Sequence, residues 1–309
     1  MDISLALGGG GIRGVAHIGV IRSLEKHGFK IKAIAGTSAG GLVGAVYAAG
    51  YSTEEIENAV SNLGTNWVFS RNDTRRPALL GIGAIAKQLS AILGDRTFDE
   101  LKIPYAATAV SLRTGKEFIL REGKVLDAAL ATMAIPGVFP SQEIGGSVLV
   151  DGGVLDPVPI QLARWMRPDL PVVAVVLHKY PEGYEEPEAA FPISIPGPSS
   201  ITERITKLRM VQALQIFTHS MEVTGARLSD LGVKLYQPEV LIEPRVGHIG
   251  VLQTIDTNIL IKAGEDATEA VLTELQSEAR WTKRIERAVK HRINPDPRPD
   301  IWAADQQKS

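Results

Sequence analysis

The sequence predicts an α/β protein of three layers, in which helices cover both faces of a mostly parallel central sheet. Three features predict this fold: short apolar segments, glycine-rich turns directly after two of them, and helical periodicity in between. The first apolar segment, 3–7, precedes four glycines and a helical pattern over 15–27. The second, 32–35, precedes a small-residue helix over 41–49. Strands joined by such a crossover are expected to lie parallel and adjacent.

The remaining elements follow from the same criteria. Ser52 and Glu55 are spaced as a capping pair at the start of a helix that runs to about residue 63. Alternating or continuous apolar runs predict strands at 105–111, 116–120, 147–150, 172–177 and 240–244. Helical spacing predicts helices at 125–134, 159–165, 201 to about 230, and 259–279. The segment 80–93 is the least defined, because glycines interrupt its apolar pattern.

The chain shows no internal repeat and no sharp change of composition, so we predict one α/β domain over residues 1–293. Its core is predicted at 3–177, and a closing strand and helix at 240–290. Residues 180–235 open with a proline-rich stretch that holds five prolines up to residue 200, which predicts a cap or surface excursion. The tail, 294–309, is rich in proline and aspartate and is expected to be flexible.

Charge and composition exclude several classes of function. The formal net charge is −2, from 33 basic and 35 acidic residues, so there is no overall field to attract nucleic acid. The absence of cysteine excludes disulfides, thiolate catalysis and cysteine-bound metals. No export signal is apparent and no run of 18 apolar residues occurs, so we expect a cytoplasmic protein. Peripheral contact with a membrane is left open.

The first chemical motif is Gly36-Thr37-Ser38-Ala39-Gly40, a GxSxG sequence placed where a predicted strand turns into a predicted helix. A nucleophile on such a turn needs small neighbours because the backbone bends sharply. The free amides and the positive dipole end of the following helix point at it. These flanks favour a nucleophilic serine at Ser38 over a plain small-residue turn.

The second motif is the glycine loop 8–14, whose backbone amides can stabilise a developing oxyanion. Gly9, Gly11 and Gly14 also satisfy the GxGxxG fingerprint of dinucleotide sites, which calls for an acidic residue at the end of the second strand. That strand ends at Ala35 and Gly36 without an acid, so nucleotide binding is the weaker hypothesis.

A serine nucleophile needs a base, and the sequence offers two kinds. Among the six histidines, His178 and His248 could serve by chain order, yet neither carries a local motif. Asp151 ends an apolar strand and precedes Gly152 and Gly153, so its carboxylate projects from the sheet edge with little around it. Such a carboxylate can act as base if burial raises its pKa.

The glycine loop with its arginine, the GTSAG turn, the segment 134–140 (AIPGVFP) and the Asp-Gly-Gly turn follow one another in an order that resembles the patatin-like phospholipase family. The resemblance covers about residues 3–177, and more loosely 240–264. Many loops of that family begin with an acidic residue where this chain has Leu7. The resemblance implies a patatin-like fold, hydrolysis of fatty acyl esters in lipids, and no metal or organic cofactor. It implies these roles: a Ser-Asp dyad of Ser38 and Asp151, oxyanion donors at Gly9, Gly10 and Gly11, and supporting positions at Arg13, Gly36, Gly40, Gly152 and Gly153.

Three alternatives stay open at this stage. They are a Ser-Asp-His esterase that uses His178 or His248, a nucleotide-binding or regulatory protein that uses the glycine loop, and a catalytically silent scaffold. A separate hypothesis concerns lipid contact. The apolar segment 79–93, flanked by Arg71, Arg75, Arg76 and Arg96, could meet a membrane or could be a core-packed helix.

Overall fold

The computed structural model describes residues 1–62, 83–184 and 201–293, the last range without the side chains of 201–212, 214 and 215. The strands are β1 (Asp2–Leu7), β2 (Lys30–Gly36), β3 (Tyr105–Ser111), β4 (Lys116–Leu120), β5 (Gln142–Ile144), β6 (Ser147–Asp151), β7 (Val172–Val175) and β8 (Val240–Ile242). The helices are α1 (Ala16–Lys26), α2 (Ala39–Ala48), α3 (Thr53–Asn62), α4 (Gly83–Leu93), α5 (Val125–Thr132), α6 (Ile160–Met166), α7 (Ile201–Tyr236), α8 (Thr257–Ala270), α9 (Leu272–Glu278) and α10 (Trp281–Ile293).

The strands form one sheet in the order β5-β6-β3-β2-β1-β7-β8, with β4 on the other edge of β3. The pairs β1–β2, β2–β3, β1–β7 and β7–β8 are parallel. The β3–β4, β3–β6 and β5–β6 pairs are antiparallel. The first two strands are therefore parallel neighbours, as their helical crossover predicts.

Side chains alternate between two hydrophobic cores, one on each face of the sheet. Leu5 and Leu7 of β1 enter a large core with α1, α2, α5 and α8. Ala6 of the same strand enters a smaller core with α6 and the end of α7. The second face carries alanines at four positions, so α6 approaches closely enough for the Ser4 hydroxyl to donate to the Ala163 carbonyl at 2.8 Å. The three-layer prediction is confirmed.

Most predicted elements are found at the predicted positions. The hairpin of β3 and β4 is present, and Ser52 and Glu55 form the predicted reciprocal cap at the start of α3, at 2.8 and 3.2 Å. The predicted closing helix over 259–279 is wrong as one element. It breaks at Val271 into α8 and α9, and α10 follows. Strand β5 was not predicted, because three residues carry too little periodicity.

The lipid-contact hypothesis for 79–93 is not supported in its described part. Helix α4 buries Ile85, Leu89 and Leu93 in the large core, with 6%, 7% and 1% of their surface exposed. The helix is therefore packed against the protein rather than presented to lipid. Residues 79–82 and the three arginines at 71, 75 and 76 lie outside the described residues, as do 185–200 and the tail 294–309.

Helix α7 is the longest element that the structure describes, and its C-terminal end lies against α6. Its C-terminal end is held by Arg164 of α6, whose guanidinium donates to the carbonyls of Tyr236 and Gln237 and pairs with Glu239. A cation at this position satisfies terminal carbonyls and interacts favourably with the helix dipole. Among the helices that the structure describes, none combines the length and apolar character needed to cross a bilayer.

Helices α1 and α8 pack through reciprocal glycines. A β-carbon at Gly19 would lie 1.9 Å from the Ile261 carbonyl oxygen, and one at Gly264 would lie 2.0 Å from the Ala16 carbonyl oxygen. Each helix therefore presents a side-chain-free position to the backbone of the other. This contact holds α1, the helix that follows the glycine loop, close against α8.

The glycine contact makes a direct prediction about stability. Gly19→Ala should lower the free energy of unfolding by about 3 kcal/mol, the upper end of the usual cost of overpacking, because backbone cannot yield to the new methyl. Gly232→Ala in α7 is the matched control, since its β-carbon would meet only the Tyr236 ring edge at 4.0 Å. It should be neutral or stabilising by up to about 1 kcal/mol. Urea unfolding measures both, and equal stability of Gly19→Ala and wild type would contradict the packing.

Candidate active site

The site lies where two strands meet end to end along one edge of β3. Gly36 at the end of β2 pairs with Ala107, and Asp151 at the end of β6 pairs with Ala109. Strand β4 occupies the opposite edge of β3, so β2 and β6 share an edge and approach each other from opposite directions. Ser38, two residues beyond β2, and Asp151 therefore come together.

Ser38 occupies a strained turn between β2 and α2. Its backbone has φ 53° and ψ −122°, a conformation that residues other than glycine rarely adopt. Such strain costs on the order of 1–3 kcal/mol and persists only where the surroundings enforce it. Here the Ser38 amide donates to the Thr132 hydroxyl at 2.9 Å, which anchors the turn to α5. The predicted GxSxG turn is thus a sharp elbow in this structure.

Ser38 and Asp151 line the same cleft, and both are buried. The Gly153 amide donates a hydrogen bond to Asp151 Oδ1 at 2.7 Å. Burial raises the pKa of Asp151 from 3.8 to about 6, against the opposing effects of the nearby Ser38 hydroxyl and of the Gly153 amide. At neutral pH the carboxylate is ionised, yet it is a far stronger base than an exposed aspartate.

The glycine loop after β1 faces Ser38, and its amides differ in their partners. The Gly9 amide donates to the Pro157 carbonyl at 2.9 Å and is therefore engaged. The amides of Gly10 and Gly11 donate to no group within the described part of the chain. Of the three amides that the sequence predicts as oxyanion donors, that of Gly9 is thus engaged and those of Gly10 and Gly11 are free within the described structure. Gly11 has φ +57°, and its β-carbon would lie 2.2 Å from the Val251 carbonyl oxygen, so only glycine fits there.

The other predicted glycines keep the elbow and the Asp-Gly-Gly turn close to the sheet. A β-carbon at Gly40 would lie 2.2 Å from the Leu7 carbonyl oxygen, and one at Gly36 would lie 2.6 Å from the Gly41 α-carbon. At Gly152 it would lie 2.0 Å from the Thr108 hydroxyl oxygen. Larger residues at these positions would move the backbone that carries the Ser38 and Asp151 side chains.

Arg13 connects the glycine loop to two other parts of the protein. Its Nε donates to the Ile249 carbonyl, and its Nη2 lies 3.4 Å from Glu222 Oε2 on α7. Only 8% of its side chain is exposed. The arginine therefore holds the loop under α7, consistent with a supporting position.

A chain of hydroxyls links the elbow to the turn that carries Asp151. The Thr37 hydroxyl donates to the Asp156 carbonyl at 2.9 Å, so the Thr108 hydroxyl, 2.7 Å away, must donate to Thr37. Burial and the neighbouring carboxyl of Glu117 hold the pKa of Asp156 well above its usual range. The elbow, β3 and the Asp-Gly-Gly turn are thus joined by polar contacts inside the core.

An open cleft of about 880 Å³, part of it continuous with solvent, leads to Ser38. Its polar lining includes the glycine loop and the side chains of Ser38, Asp151, Arg13, Glu222, His178, Thr218 and Ser229. Its apolar lining includes Ile135, Val138, Val154, Val158, Leu177 and Met221. An apolar cleft with a few convergent polar groups is the usual form of a small-molecule site.

Three histidines have contacts with groups other than Ser38 in the described structure. His178 lines the cleft, but its Nε2 lies 3.0 Å from Asp230 Oδ1 on α7. The His248 ring packs against Tyr184. His17 is buried beneath the glycine loop, where it donates to the Gly8 carbonyl at 2.8 Å, and burial lowers its pKa to about 4.

The nucleotide hypothesis finds less support in this geometry. A β-carbon at Gly14 would lie 2.4 Å from the Ala39 β-carbon, so in this chain the third glycine of the fingerprint allows the loop to pack closely on the serine elbow. Strand β2 ends in Gly36 without a neighbouring acid.

Sequence reasoning missed several residues of this site. Thr132, which accepts from the Ser38 amide, has no motif of its own, and Glu222 and the rest of α7 lie far away in the chain. The segment 134–140 contributes to the family resemblance, but its sequence does not predict that Ile135, Pro136 and Val138 line the cleft.

Comparison with known proteins connects this geometry to one family. A family model for the patatin-like phospholipases matches residues 5–164. An uncharacterized NTE family protein of Mycobacterium tuberculosis is 41% identical over 180 residues, which covers 57% of this chain and 49% of that protein. Lysophospholipase NTE1 of Debaryomyces hansenii is 32% identical over 164 residues, 52% of this chain and 11% of that protein.

A solved structure supports the fold independently. The crystal structure of VipD from Legionella pneumophila superposes with a TM-score of 0.55 at 11% identity, covering 89% of this chain and 67% of that one. At this level of identity the likeness concerns the fold alone. The chain spans about half the length of the first curated relatives that it matches.

The raised pKa of Asp151 predicts a cost in stability. The folded state holds its proton more tightly than the unfolded state, so wild type should lose stability as pH rises from about 4 to 6. Asp151→Asn keeps an acceptor for the Gly153 amide without a charge. It should therefore exceed wild type in the free energy of unfolding at about pH 8, with a difference that shrinks below about pH 6. Urea unfolding at several pH values measures this.

Glu274→Gln, at an exposed position of α9, is the control and should keep the wild-type pH dependence. A gap between Asp151→Asn and wild type that stays constant down to pH 4 would contradict the assignment.

Proposed function

The chain belongs to the patatin-like phospholipase family, and from that premise we propose that it hydrolyses fatty acyl esters of lipids with Ser38 as nucleophile and Asp151 as base. One observation carries the proposal: a strained serine and a buried aspartate, whose pKa burial raises to about 6, line the same cleft. A nucleophile and a base within hydrogen-bond reach, inside an apolar cleft, are what acyl transfer requires.

In the first half of the reaction, Asp151 accepts the Ser38 proton while Ser38 Oγ forms a bond to the ester carbonyl carbon. The carbonyl oxygen takes the negative charge of the tetrahedral intermediate. That intermediate collapses, the bond to the alcohol breaks, and the proton on Asp151 passes to the departing alcohol oxygen. An acyl-enzyme on Ser38 remains.

In the second half, Asp151 accepts a proton from water, and the water oxygen attacks the acyl carbon. The second tetrahedral intermediate releases the fatty acid, and the proton returns to Ser38. The same carboxylate serves both halves because it is regenerated after each transfer. The scheme calls on no metal and no organic cofactor.

We assign the oxyanion donors to the amides of Gly10 and Gly11. Both belong to the loop that faces Ser38, and neither donates to another described group. A preorganised pair of amides costs no reorganisation as the charge develops. Gly9 is assigned a structural role instead, because its amide already donates to Pro157.

The substrate class follows from the lining of the cleft. Its apolar side chains suit an acyl chain, and the Debaryomyces hansenii relative is a lysophospholipase, which fits a lipid ester. We propose that the substrate is a phospholipid, a lysophospholipid or a related acyl ester. The protein would reach it by peripheral contact with the lipid surface.

The dyad is tested with p-nitrophenyl butyrate. Ser38→Ala should lose at least about 10⁴-fold in kcat, since the nucleophile is absent. Asp151→Asn should lose about 10²–10⁴-fold, the usual contribution of a general base. Circular dichroism checks the fold, and labelling of wild type but not Ser38→Ala by a fluorophosphonate identifies the nucleophile. Full activity of folded Ser38→Ala would refute the proposal.

The rival triad is tested in the same assay. Replacing His178 or His248 by alanine should leave a measurable turnover, because the structure pairs His178 with Asp230 and packs His248 on Tyr184. Complete loss in either folded variant would favour a Ser-Asp-His esterase. Nucleotide retained on purification, with no fluorophosphonate labelling, would favour the nucleotide-binding hypothesis.

The pH dependence of kcat/KM gives a further prediction. Because the base must be ionised, kcat/KM should fall about tenfold per pH unit below an apparent pKa near 6, the value set by burial of Asp151. An exposed aspartate would place this limb about two units lower. A rate that stays constant from pH 8 to pH 5 would count against Asp151 as the base.

A further inference from the structure

Helix α7 forms one wall of the cleft that holds Ser38. Its cleft-lining residues are Thr218, Met221, Glu222, Gly225, Ala226 and Ser229. They recur every three or four positions and therefore share one helical face. At 1.5 Å per residue, this face extends along the cleft for about 16 Å.

Gly225 lies at the centre of this face. It follows Met221 by four residues and precedes Ser229 by four, so a side chain at 225 would point in the same direction as theirs. A β-carbon built on Gly225 meets no atom within 4 Å. The empty space next to Gly225 is therefore part of the cleft, and no close packing against backbone demands glycine here.

Local helix energetics do not account for the glycine either. Glycine inside a helix costs about 0.5–1 kcal/mol relative to alanine, and Gly225 has neither a positive φ nor a crossing helix in contact. This contrasts with Gly19 and Gly264, whose missing side chains are required by packing. What Gly225 provides is room in the cleft.

The surface around Gly225 is suited to an apolar group. The Ser229 hydroxyl donates to the Gly225 carbonyl at 2.8 Å and is thereby directed to the helix backbone. Met221 and Ala226 flank the glycine, and Val158 and Leu177 line the same cleft. The charged pair Arg13 and Glu222 is satisfied within the protein. An acyl chain that left the serine along this face would meet mostly apolar atoms.

We propose that the acyl chain of the substrate runs along the cleft face of α7 across Gly225, and that Gly225 determines the longest acyl chain the site accepts. This inference rests on the proposed lipid hydrolase function and narrows its substrate class to esters of long-chain fatty acids. The residue acts by leaving space, because any larger side chain at 225 occupies the path of the chain.

The test compares p-nitrophenyl laurate with p-nitrophenyl butyrate in wild type, Gly225→Leu and Gly225→Ala. The ratio of kcat/KM for laurate to that for butyrate should fall at least about tenfold in Gly225→Leu, since a misfit of one or more methylenes in an apolar pocket is worth about that much. Gly225→Ala should shift the ratio in the same direction by a smaller factor, and it remains informative if the leucine variant does not fold.

Gly232→Leu is the matched control. It lies two turns further along α7 and lines a separate cavity with Leu228, Leu231 and Leu235, so it adds the same side chain to the same helix away from Ser38. Its laurate-to-butyrate ratio should equal that of wild type. An unchanged ratio in the folded Gly225 variants, or an equal fall in Gly232→Leu, would overturn the proposal.

Failure of this inference can be told apart from failure of the proposed function. If wild type hydrolyses neither ester, or if Ser38→Ala is as active as wild type, the hydrolase proposal itself falls. If wild type is active through Ser38 but the laurate-to-butyrate ratio does not change with the residue at position 225, only the role of Gly225 is refuted.

Discussion

The meeting of β2 and β6 along one edge of β3 is the constraint on which the site depends. The two strands come from opposite directions. Between Ala107, which pairs with β2, and Ala109, which pairs with β6, only Thr108 has no strand partner on this edge. The chain turns away from the sheet on both sides of that position, into α2 after Ser38 and into the Asp-Gly-Gly turn after Asp151. A hydroxyl and a carboxylate that lie more than a hundred residues apart in the chain are thereby brought into one cleft.

This arrangement is costly, and the surrounding structure offsets the cost. The elbow is strained at Ser38, and Asp151 carries a charge that burial disfavours. Neutral donors and acceptors on rigid elements compensate: Thr132 for the Ser38 amide, Gly153 for the carboxylate, and Thr108 with Thr37 between the two turns. The hydrophobic cores on both faces of the sheet stabilise these elements. The fold therefore tolerates the strain at Ser38 and the buried charge at Asp151 that a preorganised site requires.

Helix α7 gives the site its shape without supplying the proposed reacting groups. It is joined to the segments that follow β1 and β7 through Glu222 with Arg13 and through Asp230 with His178, and its end is held by Arg164. The same helix thus covers the cleft and packs against the smaller core. In the proposed scheme, chemistry and selectivity belong to separate elements, so a change in the cleft face of α7 would alter which substrate binds while Ser38 and Asp151 stay in place.

The sequence by itself determined the features that depend on local backbone chemistry. The strand–elbow–helix unit around Ser38, the glycine loop, the Asp-Gly-Gly turn and most helices and strands could be read from spacing, glycines and apolar periodicity, because each is encoded within a few residues. The tertiary structure alone decided what depends on distant contacts. It placed β6 antiparallel to β3, engaged the Gly9 amide with Pro157, brought Thr132 under the elbow, and buried Ile85 and Leu89. It also laid α7 over the cleft, since the partner of an amphipathic or mixed helix face is chosen by packing and not by the helix's own sequence.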